Sequence, residues 1–326
     1  MQFVNLGRSS LKVSRLGFGA MGIGDKSWRE WALDEDESRP VLRRVLDCGI
    51  NLIDTCDFYS AGRSEEIVGN LIAGFVRRDE IVLATKAGNP MGRGPNARGF
   101  SRKHLFEALD ASLRRLKVDY VDLYQTHIWD PGTDIEEMVD AFDALVRSGK
   151  VLYVGITDMP CWQFSKAYFY AQHHGRARFV SVQNHYNPIW REDERELLPF
   201  CRAEAIGVIP YSPMGRGFLC GKARRDGSAP TPRFRSDDFG QKIYGRPSDI
   251  SVAEAIEAVG AARGIEPAQV SLAWTLSRPG VTAPIFGATR PEHVDSAVAA
   301  LAMSLEAGEI AAIDAAYAPR PAGGHF

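Results

Sequence analysis

Ile81-Val-Leu-Ala-Thr-Lys86, Arg102-Lys-His-Leu-Phe-Glu-Ala-Leu-Asp-Ala-Ser-Leu-Arg-Arg-Leu116, Val121-Asp-Leu-Tyr-Gln-Thr-His127, Ile135-Glu-Glu-Met-Val-Asp-Ala-Phe-Asp-Ala-Leu-Val-Arg147 and Val151-Leu-Tyr-Val-Gly-Ile-Thr157 succeed one another in the middle of the chain. The first, third and fifth are short apolar, β-branched runs. The second and fourth repeat apolar residues at helical spacing, so the stretch reads as parallel strands joined by crossover helices. Outward from it, the same pattern predicts further strands over Arg15–Gly19, Ile50–Asp54, Phe179–Asn184, Gly207–Tyr211 and Val281–Gly287. Helices are predicted over Glu37–Cys48, Glu65–Phe75, Cys161–His173, Asp193–Ala205, Val252–Arg263, Pro267–Ser277, Pro291–Ala299 and Ala307–Tyr317. Eight evenly spread β/α units, with no linker and no internal repeat, predict one (β/α)8, or TIM, barrel as a single domain over residues 1–326. Gln2–Val4 and Leu11–Val13 read as a hairpin closing the barrel floor. Ser101 and Ser251-Val-Ala-Glu254 look like helix caps. Met214–Asp249, rich in Gly, Pro and Arg, reads as a long irregular segment with a functional use.

The chain has 326 residues and is 45% hydrophobic, with 39 Lys plus Arg against 41 Asp plus Glu. That balance lacks the basic footprint of a nucleic-acid binder. No apolar run reaches the length of a membrane span, and the N-terminal stretch lacks the pattern of a signal peptide, so a cytoplasmic protein is expected. Five scattered cysteines, none in a C-x-x-C pair, fit a reducing compartment and no zinc site. His173 and His174 are adjacent and no H-x-x-x-H occurs, so no metal is expected. The sequence is silent on oligomeric state.

Two glycine motifs are set aside. Gly17-Phe-Gly19-Ala-Met-Gly22 fits the dinucleotide fingerprint, but no helical periodicity begins at its last glycine. Gly215-Arg-Gly-Phe-Leu-Cys-Gly-Lys222 has the wrong spacing for a P-loop, and Ala223 stands where a hydroxyl would hold magnesium.

In a (β/α)8 enzyme the reactive groups stand at the C-terminal ends of the strands. Here those ends offer Asp54, with Tyr59 five residues on, then Lys86, then His127. Each has an ordinary structural use, as a cap, an ion-pair partner or a core residue, but four different groups converge on one rim. A lysine ammonium beside a phenol favours the phenolate, and Asp54 would hold that ammonium in place. His127 could then hydrogen-bond a carbonyl oxygen while Tyr59 protonates it. This is equipment for carbonyl reduction, and the hydride requires a nicotinamide cofactor. Gly287-Ala-Thr-Arg290-Pro291 ends a strand and opens a helix, a place for an anion such as a 2′-phosphate. Tyr211 offers a flat face for a nicotinamide ring, and Ser212-Pro-Met-Gly215-Arg-Gly217 a loop for a pyrophosphate.

Asn51-Leu-Ile-Asp54-Thr-Cys-Asp-Phe-Tyr59 with Ser64-Glu-Glu66, Ala84-Thr-Lys86, Tyr124-Gln-Thr-His127, Gly149–Thr157, Val182-Gln183 and Ile209-Pro-Tyr211-Ser-Pro213 together resemble an aldo-keto reductase from Val4 to about Tyr317. The pattern is most similar to the bacterial and potassium-channel-β-subunit-like branch. The resemblance implies an NADPH-binding barrel with an N-terminal hairpin and two extra helices. It implies a catalytic tetrad of Asp54, Tyr59, Lys86 and His127, with Tyr59 as proton donor. It places Thr157, Asp158 and Gln183 at the nicotinamide carboxamide and Tyr211 on the ring. Ser212, Pro213, Met214, Gly215, Gly217 and Lys222 fall along the phosphates, and Met21 lines the cofactor from strand one. Gly287, Thr289, Arg290 and His293 fall around the adenosine end. Asp158 departs from the Asn common in relatives, and a carboxylate can accept from the carboxamide NH2 but cannot donate to its oxygen. His293, Ser296 and Ala297 replace the Gln, Glu and Asn often found near the adenine.

The expected activity is NADPH-dependent reduction of an aldehyde or ketone. Trp28, Trp31, Phe58, Trp129 and Trp190 are expected to wall the pocket and to suit a bulky or apolar small-molecule carbonyl. A cofactor-loaded redox-sensing or interaction module with little turnover is the alternative, and a Schiff-base lyase built on Lys86 a third reading.

Overall fold

Alternation along each strand sorts the side chains into two cores. The computed structural model describes residues 1–221 and 231–320. Its strands are β1 (Phe3–Asn5), β2 (Lys12–Ser14), β3 (Gly17–Gly19), β4 (Leu52–Asp54), β5 (Val82–Ala87), β6 (Val121–Thr126), β7 (Val151–Thr157), β8 (Phe179–Gln183), β9 (Gly207–Val208) and β10 (Ile285–Phe286). β3 to β9 pair in sequence order, all parallel, and β10 pairs with β3. The ring closes where Thr282 N–H donates to Val208 O at 2.7 Å and Ile285 N–H to Pro210 O at 2.8 Å. The fold is therefore the expected (β/α)8 barrel.

Inward-pointing Leu52, Val82, Ala84, Leu123, Val180, Ile209, Ala283 and Ile285 pack with Leu6 and Val13 of the β1–β2 hairpin, which plugs the floor. Gly7, at φ +59, turns the hairpin so tightly that a side chain there would begin 2.6 Å from Val180 O. Outward residues such as Phe18, Ile53, Leu83 and Tyr124 join the larger core beneath the helices.

The helices are α1 (Glu35–Asp47), α2 (Arg63–Phe75), α3 (Arg102–Leu116), α4 (Ile135–Arg147), α5 (Cys161–His173), α6 (Leu197–Ala203), α7 (Pro232–Arg235), α8 (Asp238–Ile243), α9 (Pro247–Arg263), α10 (Pro267–Ser277), α11 (Pro291–Ala299) and α12 (Ala307–Ala315). Ser101 caps α3 as expected, accepting from His104 N–H. Ser251 does not cap α9: Pro247 sets the first turn, Asp249 accepts from the N–H groups of Gly245 and Arg246, and Ser251 Oγ donates to Pro247 O. Met214–Asp249, read as irregular, contains α7, α8 and the start of α9, short helices whose periodicity is too brief to register. Gly17–Gly22 continues into a single 3-10 turn rather than an α-helix, in accord with setting aside the dinucleotide fingerprint. Among the described residues no single helix is long and apolar enough to cross a membrane.

α2 and α3 approach so closely that a Cβ on Gly69 would lie 2.5 Å from the Leu116 carbonyl oxygen. Gly69→Ala is expected to destabilise by about 1–3 kcal/mol, because the overpacking outweighs the helix propensity it gains. An unchanged or raised urea midpoint would show that the two helices can separate without cost.

Candidate active site at the barrel mouth

The alternation that packs Leu52, Val82 and Leu123 on the floor brings Asp54, Lys86 and Gln125 inward one layer higher, and Gln183 joins them from β8. Lys86, fully buried, donates to Asp54 Oδ1 at 2.5 Å and to Thr55 O at 3.0 Å. Gln183 and Gln125 donate to Asp54 Oδ2 at 2.9 and 3.2 Å. Both carboxylate oxygens are thus satisfied without water, and the ammonium uses two of its three N–H groups on Asp54 and Thr55.

Tyr59 follows at the start of a 3-10 turn, Tyr59–Gly62, in which Ser60 and Ala61 both have φ of 51°. Two successive left-handed residues are costly, and they are held by Ser60 Oγ accepting from Asp25 N–H at 3.0 Å. The Tyr59 ring lies 5.4 Å from Lys86 Nζ and meets the His127 ring edge-on at 5.5 Å. The sequence leads one to expect Lys86 to pull the phenol down. Instead burial, with Cys56 and Asp54 nearby, holds it well above its ordinary value. The phenol therefore keeps its proton, as a donor must.

Burial and the Lys86 charge push His127 well below its ordinary value, so the imidazole is neutral. Asn89 Nδ2 donates to His127 Nδ1 at 2.6 Å, which leaves the ring proton on Nε2 and free to be donated. Asp57, 1% exposed, has both carboxyl oxygens without a partner, and burial beside Glu65 raises it to about 8. Cys56, Asp57 and His127 bring ligand-type atoms within 4.8 Å of one another, but burial holds the Cys56 thiol protonated and the Lys86 ammonium faces the group.

Trp28 packs 6.2 Å from Tyr59 and 6.3 Å from Phe58, forming one wall with Trp31 behind it. Trp129 is buried and stacked on Phe100. Trp190 stacks instead on His185, whose other face stacks on Tyr211. The Tyr211 hydroxyl donates to Asp158 Oδ2 at 2.9 Å.

The residues expected at the phosphates and adenosine follow β9 and β10. Arg216, at φ +55, forms a two-pronged ion pair with buried Asp237 at 2.6 and 2.9 Å and reaches Met21 Sδ at 3.8 Å. Arg233 stacks over Trp31 at 4.5 Å, and burial together with the Arg216 charge lowers it to about 10. Its Nη1 stands 3.6 Å from where a side chain on Gly287 would begin, and its buried Nε has no partner. Two guanidiniums crowded against one carboxylate leave a positive charge that a phosphate would neutralise. At the start of α11, Arg290 Nη2 lies 3.1 Å from His293 Nε2 and the Thr289 N–H points to Nδ1 at 3.3 Å. A neutral imidazole offers one lone pair, so one of those donors remains for another acceptor. Thr157 Oγ1 is a further buried hydroxyl without a partner. The unpartnered Arg233 Nε and Thr157 Oγ1, with the spare donor at Thr289 and Arg290, fit a dinucleotide phosphate chain. Lys222 lies outside the described residues.

Asn89, Gln125 and Arg233 escape the sequence reading, and Arg216 enters it only as part of the Ser212–Gly217 loop, without its ion pair to Asp237. Gln125 was signalled, since alternation on β6 aims it inward beside Lys86. The two arginines sit in a 3-10 turn and in the short helix α7, elements too brief to register in the sequence.

A closed β/α barrel with a buried acid–base cluster at the C-terminal ends of its strands is the architecture of a barrel enzyme. The chain belongs to the aldo/keto reductase family, whose model matches residues 15–318, and it is accordingly an oxidoreductase. It is similar to a versiconal hemiacetal acetate reductase of Aspergillus parasiticus, 37% identical over 98% of both chains. A putative aryl-alcohol dehydrogenase of Schizosaccharomyces pombe is 34% identical, over 98% of this chain and 97% of its own. An aldo-keto reductase of Metarhizium robertsii is 35% identical, over 100% of this chain and 93% of its own. These relatives are fungal reductases and dehydrogenases, and they do not single out the bacterial and channel-β-subunit-like branch.

Proposed function

We propose that the protein reduces aldehydes or ketones with NADPH, with Tyr59 as the proton donor. The buried Asp54–Lys86 pair flanked by Tyr59 and a neutral His127 carries this reading. The reduced dinucleotide supplies the hydride. His127 donates through Nε2–H to the carbonyl oxygen and orients it, and Tyr59 delivers its proton to that oxygen as negative charge develops. Lys86 holds a fixed positive charge beside the phenol, which stabilises the phenolate left behind. Tyr211, Thr157, Asp158 and Gln183 hold the nicotinamide end; Met21, Ser212, Pro213, Met214, Gly215 and Gly217, with Arg216 and Arg233, hold the phosphates; Gly287, Thr289, Arg290 and His293 hold the adenosine end. Trp28 and Phe58 form an apolar wall that suits a bulky or aromatic carbonyl, in line with the aryl alcohols named for one relative. The chain acts as one barrel domain, and its free cysteines fit the reducing cytoplasm.

Fluorescence titration with NADPH and NADH, followed by loss of the reduced-nicotinamide absorbance on adding a panel of aldehydes and ketones, tests the reading. Binding with turnover supports it. Binding without turnover favours a redox-sensing module, and no binding refutes both. A second expectation concerns Arg290, exposed at the start of α11. Arg290→Ala should shrink the preference for NADPH over NADH by about tenfold, the scale of one charge-assisted phosphate contact. An unchanged ratio would remove Arg290 from the 2′-phosphate.

A further inference from the structure

Asp158 leaves β7 with φ of +48, a left-handed backbone that a residue with a side chain adopts only when held there. Its N–H donates to Asn184 Oδ1 at 2.9 Å, and its carboxyl accepts from the Tyr211 hydroxyl at 2.9 Å and from the His185 N–H. The carboxyl is fixed in the mouth, close enough to Tyr59 to act on its phenol. A nicotinamide ring stacked on Tyr211 would bring its charge close to this carboxyl, since Asp158 is bonded to the Tyr211 hydroxyl.

Resting on the function proposed above, we infer that Asp158 discriminates between the redox states of the cofactor, its carboxylate holding the cationic oxidised ring more tightly than the neutral reduced one. When hydride, a proton with two electrons, moves to the carbonyl carbon, the dinucleotide is oxidised and its ring becomes positive. The carbonyl is reduced, and its oxygen takes the Tyr59 proton. A negative charge beside the ring favours that change, so Asp158 makes the bound cofactor a stronger reductant. An asparagine at this position would offer hydrogen bonds but no charge.

The carboxyl is pushed up to about 7 by burial, against the Tyr211 and His185 hydrogen bonds and the Lys86 ammonium, which pull it down. Asp193, in the 3-10 turn Glu192–Glu194, faces it and is itself raised to about 7 by burial and by Asp158. A group with a raised value is neutral below it and charged above it, so discrimination should grow as pH rises through this range.

The experiment measures Kd for NADP+ and for NADPH on the purified protein from about pH 6 to about pH 9. The ratio of the two affinities is followed because titration of the 2′-phosphate is common to both forms and cancels. The affinity for NADP+ relative to NADPH is expected to rise at least about tenfold across the range, with a midpoint near neutrality. In Asp158→Asn the ratio should be flat, while Asp193→Asn should keep the rise. Tyr211→Phe retains the charge but removes one bond that holds the carboxyl down, so the midpoint should move to higher pH. A flat ratio in the wild-type protein overturns the inference, as does a rise that survives Asp158→Asn or a midpoint unmoved by Tyr211→Phe. Failure of the wild-type protein to bind either dinucleotide overturns the inference and the proposed function together.

Discussion

Tyr59→Phe is expected to lose at least about a hundredfold in kcat while binding dinucleotide as the wild type does. The ring would remain where Trp28 and the edge of His127 place it, so the pocket keeps its shape. Only the hydroxyl disappears, and with it the proton for the developing alkoxide. Burial and neighbouring negative groups keep that hydroxyl protonated at rest, so the phenol is loaded across the neutral range. Single-turnover rates with saturating cofactor separate this loss from product release. Turnover within about threefold of wild type would pass the role to His127 or to water.

Lys86→Met should cost about 3–5 kcal/mol in stability as well as catalysis, the scale for breaking one side of a buried ion pair. The substitution preserves length but leaves Asp54 with two amide donors and no cation, and Thr55 O without Nζ. The double variant Asp54→Asn/Lys86→Met should recover a large part of the stability and none of the activity, since it removes the stranded charge without restoring the ammonium. Urea midpoints and kcat for the single and double variants check both halves. A single variant as stable as the wild type would mean that water reaches Asp54.

Asp54, Lys86 and His127 are legible in the sequence because a strand alternates strictly, so a polar residue at the same parity as Leu52, Val82 and Leu123 must face the barrel axis or the mouth, whereas Thr85 and Asp122, at the other parity, bond outward to Glu65 and Arg78. The same rule extends to Gln125 once β6 is set against β5. Strand ends are less legible: β9 and β10 ladder over only Gly207–Val208 and Ile285–Phe286, with Tyr211 joined to Ile285 by an isolated bridge. Barrel closure staggers the partners, so apolar residues run on past the ladder. The roles of Arg216 and Arg233 are hidden for a different reason. They depend on Asp237 and Trp31, which only the folded chain brings to them.

The hairpin that plugs the floor imposes an order on biogenesis. Leu6 and Val13 complete their burial against Val180, Ile209, Ala283 and Ile285, so the hairpin is finished only once β10, the strand farthest from it in the sequence, has been made. Until β10 seals against β3, those two apolar side chains lack Ala283 and Ile285, and one edge of β3 stays unpaired. The interval between synthesis and closure is when this chain would depend most on chaperones.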